Sequence, residues 1–214
     1  MATIAVTGMR AEARIARQAG LAAIVIGGNA AQRLTAVERA ITEGATRLIS
    51  FGIAGGLDPT LTPGKVLVPA TVRDDNGTIF ACDVARLLGA GSILGAAAMV
   101  IDPAAKRSLF ETTGAAAVDL ESGAVARAAA RAGIPFHVIR AVADPAARGL
   151  PPAARIGLDG RGRVVLWPVL VSVVAEPGQI PALIRLAADT NLALWALRRA
   201  AQRISATNHP ITES

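Results

Sequence analysis

The segment from Gly114 to Asp144, GAAAVDLESGAVARAAARAGIPFHVIRAVAD, leaves the chain few ways to fold. An apolar run ends in the acidic residues Asp119 and Glu121, an alanine-rich stretch with helical spacing follows, and a second apolar run, 136–142, leads to Asp144. Runs of this length and period read as strand, helix, strand. In an open α/β sheet, ligands are held outside the carboxyl ends of strands, so Glu121 and Asp144 fall where chemistry would be done. The same acids also suit structural duties, since carboxylates are favoured at helix starts and Asp-Pro favours turns. Spacing alone leaves both readings open.

Strands and helices alternate along the rest of the chain. Residues 3–7 read as a first strand, which Gly8 to Glu12 turn into a helix ending near Gly20. Residues 21–26 form a second strand, and 30–43 an amphipathic helix with Leu34, Val37 and Ile41 on one face. A third strand, 47–51, runs into Gly52-Ile53-Ala54-Gly55-Gly56, where small residues let a ligand approach the backbone or a turn pack on the sheet. That stretch is neither a Walker loop, lacking Gly-Lys-Ser/Thr, nor a dinucleotide fingerprint, its glycine spacing being wrong. Further strands are expected at 65–69 with a continuation at 71–72, at 78–81 and at 92–99. A short helix is expected at 83–88, and another at 103–113, capped by Asp102 and opened by Pro103.

A length of 214 residues, 52% of them hydrophobic, suits one α/β domain, here 1–204, with a tail at 205–214. Aromatic residues make up only 3%, so alanine and glycine must supply much of the close packing of helix on sheet. The single cysteine, Cys82, excludes an intrachain disulfide framework and fits a cytoplasmic protein, and no signal pattern precedes the first strand. The charge of +6 comes from 22 basic and 16 acidic residues, all the basic ones but Lys65 and Lys106 being arginine. These arginines are scattered and not interleaved with aromatics, so nucleic acid is not expected as a partner. The longest strongly apolar run free of charges, 164–175, contains Pro168 and falls short of the roughly 20 residues that span a bilayer. No metal is expected, because His137 lies in a strand and His209 in the tail, without paired ligand spacing. Nor does a Gly-x-Ser-x-Gly nucleophile elbow occur.

Two motifs together, FGIAGGLDPTLTPGKVLVPATV and AVDLESGAVARAAARAGIPFHVIRAVAD, resemble the nucleoside phosphorylase and nucleosidase superfamily. That superfamily includes purine nucleoside phosphorylases and methylthioadenosine/adenosylhomocysteine nucleosidases, and the likeness spans residues 3–150 in strand and helix order. The later stretches AVADPAARGLPPAARIGLDGRGRV and EPGQIPALIRLAADTNLALWALRRA resemble the branch called hopanoid-associated phosphorylase. Members of that branch are implicated in removing adenine from adenosylhopane. The resemblance implies a three-layer fold with a mixed central sheet flanked by helices, and cleavage of the N-glycosidic bond of a purine nucleoside. It implies no cofactor, inorganic phosphate being the alternative co-substrate to water, and a homo-oligomer, dimer or larger.

Position by position, the resemblance gives Glu121 the carboxylate that accepts hydrogen bonds from the ribose 2′ and 3′ hydroxyls. Its negative charge also favours a cationic sugar ring. Leu120 in the same motif and Gly55 in the glycine stretch join it as substrate-binding positions. Asp144 matches the acid that protonates purine N7, which needs burial or a like charge to keep it protonated near neutrality. Met9 matches a methionine that lies against the ribose, although filling the core is the commoner role for a lone methionine. The nucleophile is left open. Glu12 matches a nucleosidase carboxylate that activates water, whereas Arg10, with Gly8 and the free donors of a helix start, matches a phosphate site. Against phosphate, Ser50 stands where hexameric phosphorylases carry a second arginine, and Ile53 where serine is usual. At Ala98 or Met99, where nucleosidases supply an aromatic ring for the base, this chain has none.

Beyond Leu150 the sequence predicts a rigid Pro151-Pro152 loop, a hairpin over 153–166, an apolar helix over 168–176 and a last helix over 180–204. Ile180, Leu183, Ile184, Ala187, Asn191, Leu194 and Trp195 lie along one side of the last helix, with Arg185, Asp189, Arg199 and Arg203 on the other. These helices either cover the sheet or a second subunit, or they form an entrance for a polycyclic lipid tail. In the second case Trp167, Val171, Val174, Leu192 and Trp195 would line it, with Arg198, Arg199 and Arg203 against anionic headgroups in a peripheral membrane contact. The expected substrate is adenosylhopane. A soluble methylthioadenosine nucleosidase and a non-catalytic nucleoside- or lipid-binding protein are the alternatives.

Overall fold

The computed structural model describes residues 2–83, 89–151, 172–173 and 175–208, the last five as backbone. The elements in order are β1 (Ala2–Thr7), α1 (Arg10–Gln18), β2 (Ala22–Val25), α2 (Ala30–Thr42), β3 (Ala45–Gly56), β4 (Val66–Leu67), β5 (Thr71–Asp74), β6 (Ile79–Ala81) and β7 (Ser92–Gly95). There follow α3 (Pro103–Thr113), β8 (Ala117–Asp119), α4 (Ser122–Ala132), β9 (Phe136–Asp144), a 3-10 turn (Pro177–Gln179) and α5 (Ile180–Asn208). The strands form one mixed sheet in the order β2-β1-β3-β8-β7-β5-β6, with β9 on β3 and β4 on β9. This is the single-domain α/β architecture that the sequence predicts.

β3 is the hub. Along one edge it pairs in parallel with β9, from Leu48 opposite Phe136 to Gly55 opposite Asp144. Along the other it pairs first with β1 in parallel and then, at Gly55 and Gly56, with β8 antiparallel. The glycine stretch 52–56 therefore belongs to the strand, past the end expected at 51, because β9 pairs with 52–55 and β8 with Gly55 and Gly56. β7 stops at Gly95 rather than 99, because its neighbours stop with it: Gly95 is opposite Asp74 on β5 and Asp119 on β8, the last residues of both. β5 is a strand of its own reaching Asp74, not a two-residue continuation of the preceding one.

Helices cover both faces. On one, α2 and α4 bury Val37, Val125, Ala126, Ala128 and Ala129 against Val6, Leu48 and Val138. On the other, Ile15 and Ala16 of α1 and Ala193, Leu197 and Ala201 of α5 meet Phe51, Ile139, Ala141 and Ala143. The inner face of α5 is mostly alanine, which lets a helix lie close on β9 while Leu197 fills the gap. Local signals set the helix starts. Asn29 and Gln32 exchange bonds of 3.0 and 2.9 Å at α2, and Asp102 accepts from Ala105 N ahead of Pro103 at α3.

α5 turns its expected apolar side outward. Ile180, Ile184, Leu192 and Trp195 are exposed, and the helix runs through Asn208, past the boundary expected at 204. By length and composition alone, Pro177–Arg203 could also cross a bilayer, with a mean hydropathy of 1.2. Its inner face is nevertheless packed on the sheet. The expected short helix beyond Asp83, the hairpin, Trp167, Val171, Val174 and His209 lie outside the described residues.

Candidate active site

The end of β1, the end of β8 and the middle of β3 meet because β8 runs antiparallel to β3. Asp119 thereby arrives beside the centre of the sheet rather than at its rim. At this crossing Arg140 rises fully buried from the middle of β9, flanked by Val138, Ile139, Ala141 and Val142. Its Nη2 donates to Ser50 Oγ at 2.7 Å and lies 3.1 Å from Glu121 Oε2, and its Nη1 donates to the Ile53 carbonyl at 3.2 Å. Nε stands 2.8 Å from Asp119 Oδ2 without the alignment of a hydrogen bond, so that contact is Coulombic. A buried guanidinium needs this much compensation to be tolerated.

Asp119 also holds the start of α4. Its Oδ1 accepts from the backbone N–H of Glu121 and Ser122 at 2.9 and 2.7 Å, and its Oδ2 accepts from Ser122 Oγ at 2.5 Å. The capping role that spacing left open for Glu121 thus belongs to Asp119, and the Glu121 carboxyl is released toward Gly8 and Arg140. A Cβ on Gly8 would stand 2.5 Å from Glu121 Oε1, so only glycine lets that carboxyl sit there. Burial pushes Glu121 up to about 7, against Arg140 and with help from the charges of Asp119 and Glu12; Arg33, on α2, opposes.

Glu12, in the first turn of α1, is buried with both oxygens engaged. Oε2 accepts from Gly8 N at 3.0 Å and Met9 N at 2.8 Å, and Oε1 accepts from Ile53 N at 2.8 Å. Burial raises its pKa, and Arg140 and these three N–H groups work against the rise. Gly52 makes room for the pair: a Cβ there would meet Arg140 Nη1 at 2.5 Å and Glu12 Oε1 at 2.6 Å.

Asp144 ends β9 opposite Gly55, which lies between Asp144 and Val118. The acid is buried and its pKa raised, burial outweighing the bond and charge of Lys106, whose Nζ lies 2.5 Å from Asp144 Oδ2. Met9 is half-buried as the residue preceding α1, and Leu120 is half-buried between Asp119 and Glu121. Ala98 and Met99 lie exposed in the loop after β7, and among the described residues no hydrogen bond ties either to the carboxylates. Arg10 is exposed as well. The N–H groups of Gly8 and Met9, expected to be free for an anion, are taken by Glu12.

The family model for the phosphorylase superfamily matches residues 2–84 and 80–156. The chain belongs to the phosphorylase superfamily. No curated protein sequence matches it. Among solved structures of this fold, futalosine hydrolase of Helicobacter pylori is 14% identical over 97% of this chain and 98% of its own, with a TM-score of 0.67. The 5′-methylthioadenosine/S-adenosylhomocysteine nucleosidase of Neisseria meningitidis, in complex with methylthio-immucillin-A, is 19% identical over 96% and 100%, with a TM-score of 0.66. The S-adenosylhomocysteine nucleosidase of Streptococcus pyogenes, in complex with 5-methylthiotubericidin, is 18% identical over 99% and 98%, with a TM-score of 0.69.

In this phosphorylase-superfamily chain the site holds residues that motif reading passed over. Arg140 carried a signal, since an arginine within an apolar strand must find partners. Lys106 carried a fainter one, a cation on a helix whose burial no local pattern announces. Arg33 is buried with bonds to the carbonyls of Gly28 at 3.1 Å and Ala97 at 2.7 Å, so it ties the loop after β7 to α2. Ser50, flagged as a lost arginine, is instead the hydroxyl that receives Arg140 and meets Ser122 Oγ at 3.0 Å.

Proposed function

We propose that the protein cleaves the N-glycosidic bond of a purine nucleoside, with Glu121 holding the ribose hydroxyls, Asp144 protonating the leaving base and Glu12 activating water. The observation that carries this reading is that Glu12 in the first turn of α1 and Glu121 beyond β8 are buried around Arg140, while Asp144 is buried at the end of β9 across Gly55 from Val118 of β8, each acid raised by burial. An acid that titrates closer to neutrality is suited to proton transfer. Negative charge gathered beneath a ribose favours the positive charge its ring acquires as the bond to the base breaks. Arg140 keeps that gathering tolerable before substrate arrives.

Water is favoured over phosphate by the state of the anion donors. Arg10 is exposed, the N–H groups of Gly8 and Met9 are bonded to Glu12, and the fork of Arg140 is occupied by Asp119, Glu121, Ser50 and the Ile53 carbonyl. A phosphate dianion would find the two N–H groups and the Arg140 fork already occupied, with only the solvent-exposed Arg10 to meet it.

For the substrate we propose adenosylhopane, cleaved to adenine and ribosylhopane. Support comes from the resemblance of the carboxyl-terminal stretches and from α5, whose outward side carries Ile180, Ile184, Leu192 and Trp195, with Arg199 4.8 Å over the Trp195 ring. Such a surface suits a lipid tail at a membrane interface. From the family resemblance we further propose a homo-oligomer, dimer or larger. The test is adenine release from detergent-solubilised adenosylhopane and from methylthioadenosine, with and without phosphate, the sugar product being weighed by mass spectrometry. Adenine and unphosphorylated ribosylhopane are expected. Release from methylthioadenosine alone would replace the lipid reading by a soluble nucleosidase, a phosphorylated sugar would overturn water, and no release would overturn the catalytic reading.

A further inference from the structure

Lys106 on α3 belongs to none of the motifs that define the site, yet it is fully buried and every donor it has is directed at Asp144 and the segment that follows. Its Nζ donates to Asp144 Oδ2 at 2.5 Å, to the Arg148 carbonyl at 2.9 Å and to the Pro145 carbonyl at 3.2 Å. An ammonium has three hydrogens, and three acceptors are in place. Replacing a whole buried ion pair by apolar side chains of similar volume is often neutral for stability or better, so packing alone does not account for a lysine paired with an acid here.

The surrounding segment is tied on two further sides. Leu150 N–H donates to the Ile101 carbonyl at 3.0 Å, next to the start of α3, and the Arg148 side chain pairs with Asp189 of α5. The charged groups that face Asp144 are thus Lys106 from α3, Arg148 from its own chain segment and Asp189 from α5. Among the described residues, Lys106 is the one paired directly with Asp144.

We propose that Lys106 is the positioning residue of the acid: it fixes the Asp144 carboxyl at the end of β9 and stabilises the carboxylate left when Asp144 gives up its proton. This rests on the reading of Asp144 as the acid. In the step, the bond from C1′ to the base breaks and its electron pair leaves with the base. The base takes the proton of Asp144, and the O–H electron pair stays on the carboxylate, which faces the Lys106 ammonium. Water bonds to C1′ and its proton passes to Glu12. An ammonium beside an acid favours the charged form, so it makes Asp144 a readier donor than burial alone would allow. Without it, Asp144 holds its proton to higher pH and releases it less easily.

The test compares wild type with Lys106→Met, Lys106→Gln and Lys106→Arg, circular dichroism establishing which variants are folded. Gln keeps a donor without the charge, so it carries the same expectation as Met if the latter does not fold. Two readouts are taken: carbon-13 NMR titration of the Asp144 carboxyl, assigned by comparison with Asp144→Asn and needing no substrate, and the pH profile of kcat for adenine release. In Met and Gln the NMR midpoint and the alkaline limb of kcat both move up. The fall in kcat stays below the roughly 10²- to 10⁴-fold of a lost general acid. Lys106→Arg moves both readouts back toward wild type. A lower kcat with an unmoved limb and an unmoved midpoint would make Lys106 purely structural and overturn the inference. A midpoint that moves in an enzyme releasing no base would keep the pair but remove its part in catalysis, separating failure of the functional reading from failure of the contact.

Discussion

Replacing Arg140 by methionine tests the electrostatic organisation of the site most directly. Methionine matches the stem of arginine in length and apolar character, so the change chiefly removes the charge and its bonds. It leaves Asp119, Glu121 and Glu12 buried without the cation that draws all three. Removing one partner of a buried ion pair costs about 3–5 kcal/mol. The cost must depend on pH, with a sign that follows from linkage. Glu121 is already raised from 4.5 to about 7, so between those values the folded chain binds a proton that the unfolded chain has lost, and stability falls as pH rises through that window. For wild type the effect is on the order of 3 kcal/mol. Arg140 lowers both Glu121 and Glu12, so in Arg140→Met both rise further and the window extends upward. Urea unfolding followed by circular dichroism should show the full loss near pH 8 and a smaller one near pH 5, where the Glu121 carboxyl is protonated. Equal losses at both values, or a larger loss on the acid side, would refute the argument that charge compensation is what Arg140 provides.

Gly52→Ala places a methyl against Arg140 Nη1 and Glu12 Oε1, both bonded to the Ile53 peptide, and should lower stability by about 1–3 kcal/mol, read as a lower Tm. An unchanged Tm would mean the pair can shift without penalty. Asp144→Asn cannot deliver a proton, and adenine release should drop about 10²- to 10⁴-fold with the melting curve still cooperative. Glu12→Gln should lower kcat in phosphate-free buffer, whereas Arg10→Ala should leave it within about twofold, since substitutions of exposed residues away from such features perturb little. A phosphate-dependent loss in Arg10→Ala would restore the phosphorolytic alternative.

The unit from β8 through α4 to β9 was readable because its information is local: two apolar runs of strand length, an alanine-rich helix and acids at the breaks. The same holds for α3, announced by Asp102 and Pro103. Strand ends were less readable. β3 outran its expected end and β7 fell short of it, because a strand lasts as long as its neighbours do, and those neighbours lie far away in the chain. The outward side of α5 misled for a related reason. Ile180, Ile184, Leu192 and Trp195 face out while Ala193, Leu197 and Ala201 face in, since a helix laid close on β9 needs mostly small residues at the contact.

Composition and local pattern thus determined the class of fold, the order of most elements and the places where Glu12, Glu121 and Asp144 would emerge, because periodicity and chain breakers act over a few residues. Only the tertiary structure decided which acid caps α4, that Arg140 gathers Asp119, Glu121 and Glu12, that Lys106 meets Asp144, and that Arg10 is exposed. Those relations depend on side chains brought together across the sheet from distant segments. Burial then sets their charges, and no local pattern reports burial of that kind.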